Sequence, residues 1–213
     1  MNQKEMIKKT LNMAWPAMLE SFFIAFAGLI DSLMVSSVGA YAVAAVGLTT
    51  QPKFLGLALF IAANVSISAL VARRMGEGKR EEANRIFSTF LLFIIAAGIV
   101  ISILLVAFAD PIIRLCGSEA ETHDAAVTYF RIVMGGMIFN VIQMGVNSAQ
   151  RGAGNTRITM RTNLTASVVN IGLNYLLIQG HFGFPALGVK GAALATVIGT
   201  VVASVMSIMS IYK

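Results

Sequence analysis

Charge is scarce in this sequence. Only 12% of its 213 residues are Asp, Glu, Lys or Arg, about half the share of an ordinary soluble domain. Cysteine is nearly absent, and the single Cys116 excludes an internal disulfide framework or a cysteine-built metal site. Histidine occurs only at His123 and His181, both in expected loops, and no glycine–x–serine–x–glycine elbow accompanies them, which excludes a serine-nucleophile enzyme. A phosphate loop is missing too. The "GEGK" of Gly76 to Lys79 lacks the earlier glycine, the following Ser or Thr and the preceding strand. An enzyme has no residues here to rest on. What is abundant is apolar surface: 57% of residues are hydrophobic and the mean hydropathy is +0.79. Lipid is the expected solvent.

A helix needs about 20 apolar residues to cross the hydrocarbon core. Six such stretches are expected near 13–37, 46–71, 87–109, 125–148, 161–180 and 190–211. The second begins ambiguously, because "AYAVAAVGLTTQPKF" can hold an interfacial stretch before the span. The first apolar run continues past Val35 with no small-residue cleavage site, so it reads as a retained span and not as a signal peptide. The net charge of +6 invites a nucleic-acid reading, but its placement argues otherwise. Lys4, Lys8, Lys9, Arg73, Arg74, Lys79, Arg80, Arg85, Arg151, Arg157, Arg161 and Lys213 make twelve of the sixteen basic residues, and all fall on one side of a six-span plan. Only Arg114 and Lys190 fall in the opposite loops, among Asp110, Glu119, Glu121 and Asp124. The positive-inside rule then puts both termini in the cytoplasm. Lys53 and Arg131 lie near outer span ends and read as snorkelling to that interface. Twelve methionines scattered through apolar runs read as adaptable packing. Sequons at Asn64 and Asn163 fall in or beside spans, which argues against glycosylation.

The first span carries two carboxylates, Glu20 and Asp31. Their spacing of eleven residues returns them to within about 20° of one helical face, roughly 16 Å apart along the axis. A charge near the bilayer centre costs about 2.5–3.5 kcal/mol on insertion scales and normally marks an ion or proton pathway. Asp31 reads as such a functional residue. Glu20, nearer the inner end, reads equally as function or as a paired structural anchor.

Other spans supply polar partners. The fifth carries Asn163, Ser167, Asn170 and Asn174 on one face, and the fourth carries Asn140, Gln143, Asn147 and Gln150 on another. Thr196 and Thr200 are a turn apart in the sixth. At 1.5 Å per residue, Asp31, Asn174 and Thr196 fall within a few ångströms of one level, with Asn170 a turn deeper. A carboxylate, two amides and a hydroxyl at matched depth suit a proton or a small hard cation such as Na+. Asn140, Gln143, Asn147 and Ser167 become cavity-lining candidates. Interhelical hydrogen bonding alone would explain the amide stripes if Asp31 were absent.

The stretches "GLIDSLMVSSVGAYAVAAVGLTTQ", "VARRMGEGKREEANR", "AQRGAGNTRITM" and "VVNIGLNYLLIQGHFGFPALGVKGAALATVI" together resemble the multidrug and toxic compound extrusion (MATE) family, in order and over essentially the whole chain. The resemblance implies an all-α integral membrane bundle forming one six-helix lobe of a two-lobed exporter. It implies export of organic, often cationic, compounds against H+ or Na+ through the cell membrane, with no prosthetic cofactor. On the family pattern the first-helix acid falls on Asp31, the fifth-helix polar pair on Asn170 and Asn174, and a sixth-helix hydroxyl on Thr196. Some relatives have aspartate where this chain has Asn174. The sequence ends after one lobe, so a second lobe, as a missing C-terminal half or a parallel copy, is the expected partner beside the bilayer and the exported cations. A lipid-linked saccharide flippase of the same superfamily and a non-transporting scaffold are the alternatives. Pro16, near the inner end of the first span, either permits a bend or, as is commoner for a proline there, begins the helix.

Overall fold

The computed structural model describes residues 3–211, with side chains from Ala14 onward. Of the basic residues counted on one side, Lys213 lies outside the described residues, as do the side chains of Lys4, Lys8 and Lys9. Every regular element among the described residues is helical. The order is α1 (Gln3–Ser36), α2 (Ala40–Leu48), α3 (Thr50–Gly76), α4 (Arg80–Ala107), α5 (Ala109–Leu115), α6 (Ala120–Gly135), α7 (Met137–Gly152), α8 (Thr156–Leu177), a 3₁₀ turn at His181–Gly183, and α9 (Val189–Met209).

By length and composition, four helical stretches suit a membrane crossing, or five if the bent α6–α7 pair is one span. The expected fifth stretch, α8, does not qualify on composition, because its Asn and Thr side chains and two arginines dilute the apolar run. The ambiguity before the second stretch resolves into a separate short helix, α2, ending at Leu48 and capped by Thr49. The fourth stretch is not straight: it breaks at Gly135–Gly136 and bends by 47°. Buried Ser102 on α4 donates its hydroxyl to the carbonyl of Met134 beside that break, at 2.6 Å, so a backbone acceptor there keeps a partner. Pro16 is a correction. The helix starts at Gln3 and runs through Pro16, so the proline interrupts the inner part of α1 instead of opening it, and the ring removes one backbone donor there.

Large apolar side chains on α1 face outward, among them Trp15, Met18, Phe22, Leu29 and Leu33, each more than 60% exposed. In water such a surface would aggregate; in lipid it is solvated. The interior divides into two large clusters and a small third one, in which Ile67 and Val71 of α3 meet Ala149 of α7. Phe60, Ile94, Ile113, Phe130, Met134 and Val141 join α3, α4, α5, α6 and α7. Val35, Ala42, Tyr129, Ile178, Val189 and Ala192 join α1, α2, α6 and α9.

Helices α8 and α9 pack closely, and the sequence cause is a run of small residues. Gly191, Ala195, Gly199, Ala203 and Ser207 recur every four residues along one buried face of α9, the small-residue seam that lets helix backbones approach in a membrane. A β-carbon at Gly199 would sit 2.9 Å from the Ala166 carbonyl oxygen and 3.3 Å from Asn170 Cβ. The glycine thus brings Asn170 within reach of α9.

Candidate cation site

Four residues matched in depth by sequence meet in one hydrogen-bonded chain. Thr196 donates its hydroxyl to the Ala192 carbonyl at 2.9 Å and accepts from Asn170 Nδ2 at 3.3 Å. Asn170 Oδ1 in turn accepts from Asn174 Nδ2 at 3.2 Å, and the same Asn174 amide nitrogen donates to Asp31 Oδ1. Both partners of that nitrogen are acceptors, which fixes the orientation of the Asn174 amide. Its oxygen is consequently the odd atom out: Asn174 is fully buried and its Oδ1 has no hydrogen-bond partner.

Two residues that sequence reasoning did not place in the site are also there. Tyr129 on α6 is 4% exposed and packs in one cluster with Val35 and Ala192, each a turn from Asp31 and Thr196 respectively. A buried tyrosine needs a partner for its polar tip, and that was the available signal. Lys53 corrects the snorkelling expectation. Its ammonium stands 4.9 Å from the centroid of the Tyr129 ring and is near enough to Asp31 for their charges to interact. Arg131, by contrast, is exposed.

Glu20 belongs to a second rung on the same pair of helices. Its Oε1 accepts from Asn163 Nδ2 on α8 and from Arg151 Nη2 at the end of α7, at 2.9 Å. The sequence separation from Glu20 to Asn163 is 143 residues, and from Asp31 to Asn174 it is again 143. Constant separation means that α1 and α8 run parallel and in register. Eleven residues complete just over three helical turns, so the carboxylate–amide contact repeats on the same seam about 16 Å further on. The rungs differ in charge. Glu20, 8% exposed, carries a direct ion pair, whereas Asp31 forms none among the described residues.

The remaining candidates separate. Asn140, Gln143 and Asn147 line a cavity of about 730 Å³ with Asn64, Arg151 and Asn163. Gln143 Nε2 donates to Asn163 Oδ1 at 2.6 Å. Asn147 is an interhelical knot whose Oδ1 accepts from Thr162 at 3.2 Å and Ser207 at 3.1 Å. Asn140 Oδ1 and both amide atoms of Asn64 are buried without partners. Ser167 lies half-buried on α8 between the two rungs and outside that cavity.

At the end of the bundle away from Arg151, His123 Nε2 meets Asp110 Oδ2 at 2.9 Å and Ser118 Oγ meets His123 Nδ1 at 2.7 Å. The His123 hydrogen bond, with Arg114 assisting, holds the Asp110 carboxyl below the usual carboxylate range.

The chain as a whole is similar to known proteins. A probable multidrug resistance protein NorM from Thermotoga maritima is 28% identical over 210 residues, spanning 98% of this chain and 45% of that protein. Among solved structures, a multidrug resistance MATE family transporter of the MOP superfamily in its outward-facing conformation superposes with a TM-score of 0.86 at 28% identity, over 96% of this chain and 45% of that one. A MATE structure in the straight conformation gives a TM-score of 0.87 at 30% identity over the same shares. The chain thus spans about half the length of the relatives it matches, and the apolar helices together with these relatives make it a multi-pass membrane protein. The MatE family profile matches residues 16–176, most of the chain, and the protein belongs to that family.

Proposed function

We propose that this chain is one six-helix lobe of a cation-coupled antiporter that exports organic, often cationic, compounds across the cell membrane. The observation that carries the proposal is the Asp31 rung: a membrane carboxylate beside a buried amide oxygen, Asn174 Oδ1, that lacks any donor. A bound H+ or Na+ supplies what both oxygens lack. Asn170, Thr196 and Tyr129 orient the rung, and Glu20 holds α1 to α8 through Asn163 and to α7 through Arg151. Asn140, Gln143 and Asn147 line the inner cavity.

In this reading the crossings are α1, α2–α3, α4, α6–α7, α8 and α9, with both termini in the cytoplasm. The side chains of Arg80, Gln150 and Ser210 border one cavity, which supports gathering the α3–α4 turn, the α7 end and the α9 end on a single side. The names of the relatives support the substrate class, and their doubled length supports a second lobe, either covalently continuous or a second copy in parallel. Coupling follows if the cation binds two packings of the lobe unequally, since only differential affinity shifts such an equilibrium.

The test is efflux of a fluorescent lipophilic cation from cells producing wild type or Asp31→Asn, with and without sodium. Export lost in the variant supports the reading. Equal export by both refutes the role of Asp31. No export from a well-inserted wild type refutes autonomous transport and moves the same comparison to a two-lobed form.

A further inference from the structure

An ammonium group is recognised by an aromatic face and a nearby carboxylate. Tyr129 provides the face and Asp31 the carboxylate, and the ammonium over that face belongs to the chain itself. Lys53 Nζ lies 4.9 Å from the Tyr129 ring centroid, and Tyr129 packs with Val35, one turn beyond Asp31 on α1. Lys53 does not seal the carboxylate, since no ion pair between the two forms within 4.0 Å. Lys53 is the fourth residue of α3, close to the helix end, and its flexible four-carbon stem can carry the ammonium outward. The side chain therefore has two homes: one over Tyr129, as seen, and one at the interface.

We propose that Lys53 is a tethered cation of the Asp31 site, its ammonium holding the place that an external Na+ or organic ammonium takes on loading and leaving Tyr129 when that cation arrives. The inference rests on the cation-site reading above. Its chemical content is exchange of one positive charge for another, so an unloaded site presents Asp31 with a positive charge nearby for most of the time. A tethered competitor also sets a threshold. If Lys53 occupies the site nine-tenths of the time, external cations bind about tenfold more weakly than to a site without it.

The experiment uses the 213-residue chain in lipid nanodiscs, with equilibrium binding of radioactive sodium and of labelled tetraethylammonium. The variants are Lys53→Met, Lys53→Arg, Asp31→Asn and the double variant Lys53→Met with Asp31→Asn. The expected result is about tenfold tighter binding by Lys53→Met, wild-type affinity for Lys53→Arg, and loss of saturable binding wherever Asp31→Asn is present. Asp31-dependent binding that is no tighter in Lys53→Met overturns the tethered-cation inference alone. Absence of Asp31-dependent binding in every variant overturns it together with the Na+ and organic-cation form of the proposed function. A second readout needs no substitution at Lys53: acylation of wild-type Lys53, quantified by mass spectrometry, rises as either cation saturates the protein. Unchanged labelling under saturation refutes the exchange.

Discussion

The Glu20 rung makes an asymmetric prediction. Glu20 is 8% exposed while the Arg151 side chain is 49% exposed, so the two partners respond differently to loss of the other. Arg151→Ala strands a buried carboxylate with only Asn163 as donor, a change expected to cost about 3 kcal/mol, as for other buried charges deprived of their partner. Glu20→Gln leaves Arg151 half in solvent, where its guanidinium rehydrates, and the Gln oxygen still accepts from Asn163. That substitution should cost only about 1 kcal/mol. Because Arg151→Ala hurts through the stranded charge, removing the charge as well should rescue it. The double variant is expected near the Glu20→Gln value, a coupling of about 3 kcal/mol when the single costs are added and compared. Reversible unfolding in mixed micelles, titrated with SDS and followed by circular dichroism, measures all four corners of the cycle. Additive costs, or a larger cost for Glu20→Gln than for Arg151→Ala, would falsify the view that burial of Glu20 sets the energetics of the rung.

Three further outcomes are expected. Asn174→Ala deprives Asp31 Oδ1 and Asn170 Oδ1 of the same donor and should destabilise the fold by about 2 kcal/mol, read in the same titration; a neutral result would mean that water replaces the amide fully. Gly199→Leu forces α9 away from Ala166 and Asn170 and should cost about 2 kcal/mol or more through overpacking, while Gly172→Ala, where an added β-carbon meets nothing within 4 Å, should be silent; thermal midpoints in detergent distinguish the two. Asp110 titrates below the usual carboxylate range because of His123 and Arg114, so its contribution is present above the unfolded value of about 3.9 and is lost as pH falls through the lower folded value. Thermal midpoints of wild type and Asp110→Asn should therefore differ at neutral pH and converge below about pH 4; a constant gap across that range would contradict the assignment.

Depth along a helix is a local property, and that is why the main rung was legible in the sequence. Asp31, Asn174 and Thr196 could be ranked by counting residues from span ends, and the counting error is smaller than a side chain. Which way a side chain turns at that depth is not local. Lys53 lies near a span end, where lysine ordinarily reaches for water. Its inward turn depends on Tyr129, a residue 76 positions later whose ring forms the floor beneath it. Arg151 was counted as one more positive charge on the basic side, and its partner Glu20 lies 131 residues away. The bend between α6 and α7 had a visible cue in Gly135–Gly136, but glycine pairs also occur in straight membrane helices. Only the 47° turn and the Ser102 hydroxyl waiting at Met134 distinguish the cases. Pro16 misled because a proline commonly opens a helix, yet here the helix already runs from Gln3 through it.

The shared separation of the two rungs has a mechanical consequence. A helix that slides along its neighbour by one turn exchanges every contact for the next, and a single polar contact is a weak obstacle to that. Two contacts three turns apart are a stronger one, because a slip of one turn in either direction leaves Glu20 opposite Thr159 or Ser167 without an amide, even where Asp31 meets Asn170. Between its two carboxylates, α1 therefore behaves as a rod pinned at both ends. What remains free to swing is the segment on the far side of Glu20, and Pro16, four residues beyond that pin, is where the rod can hinge.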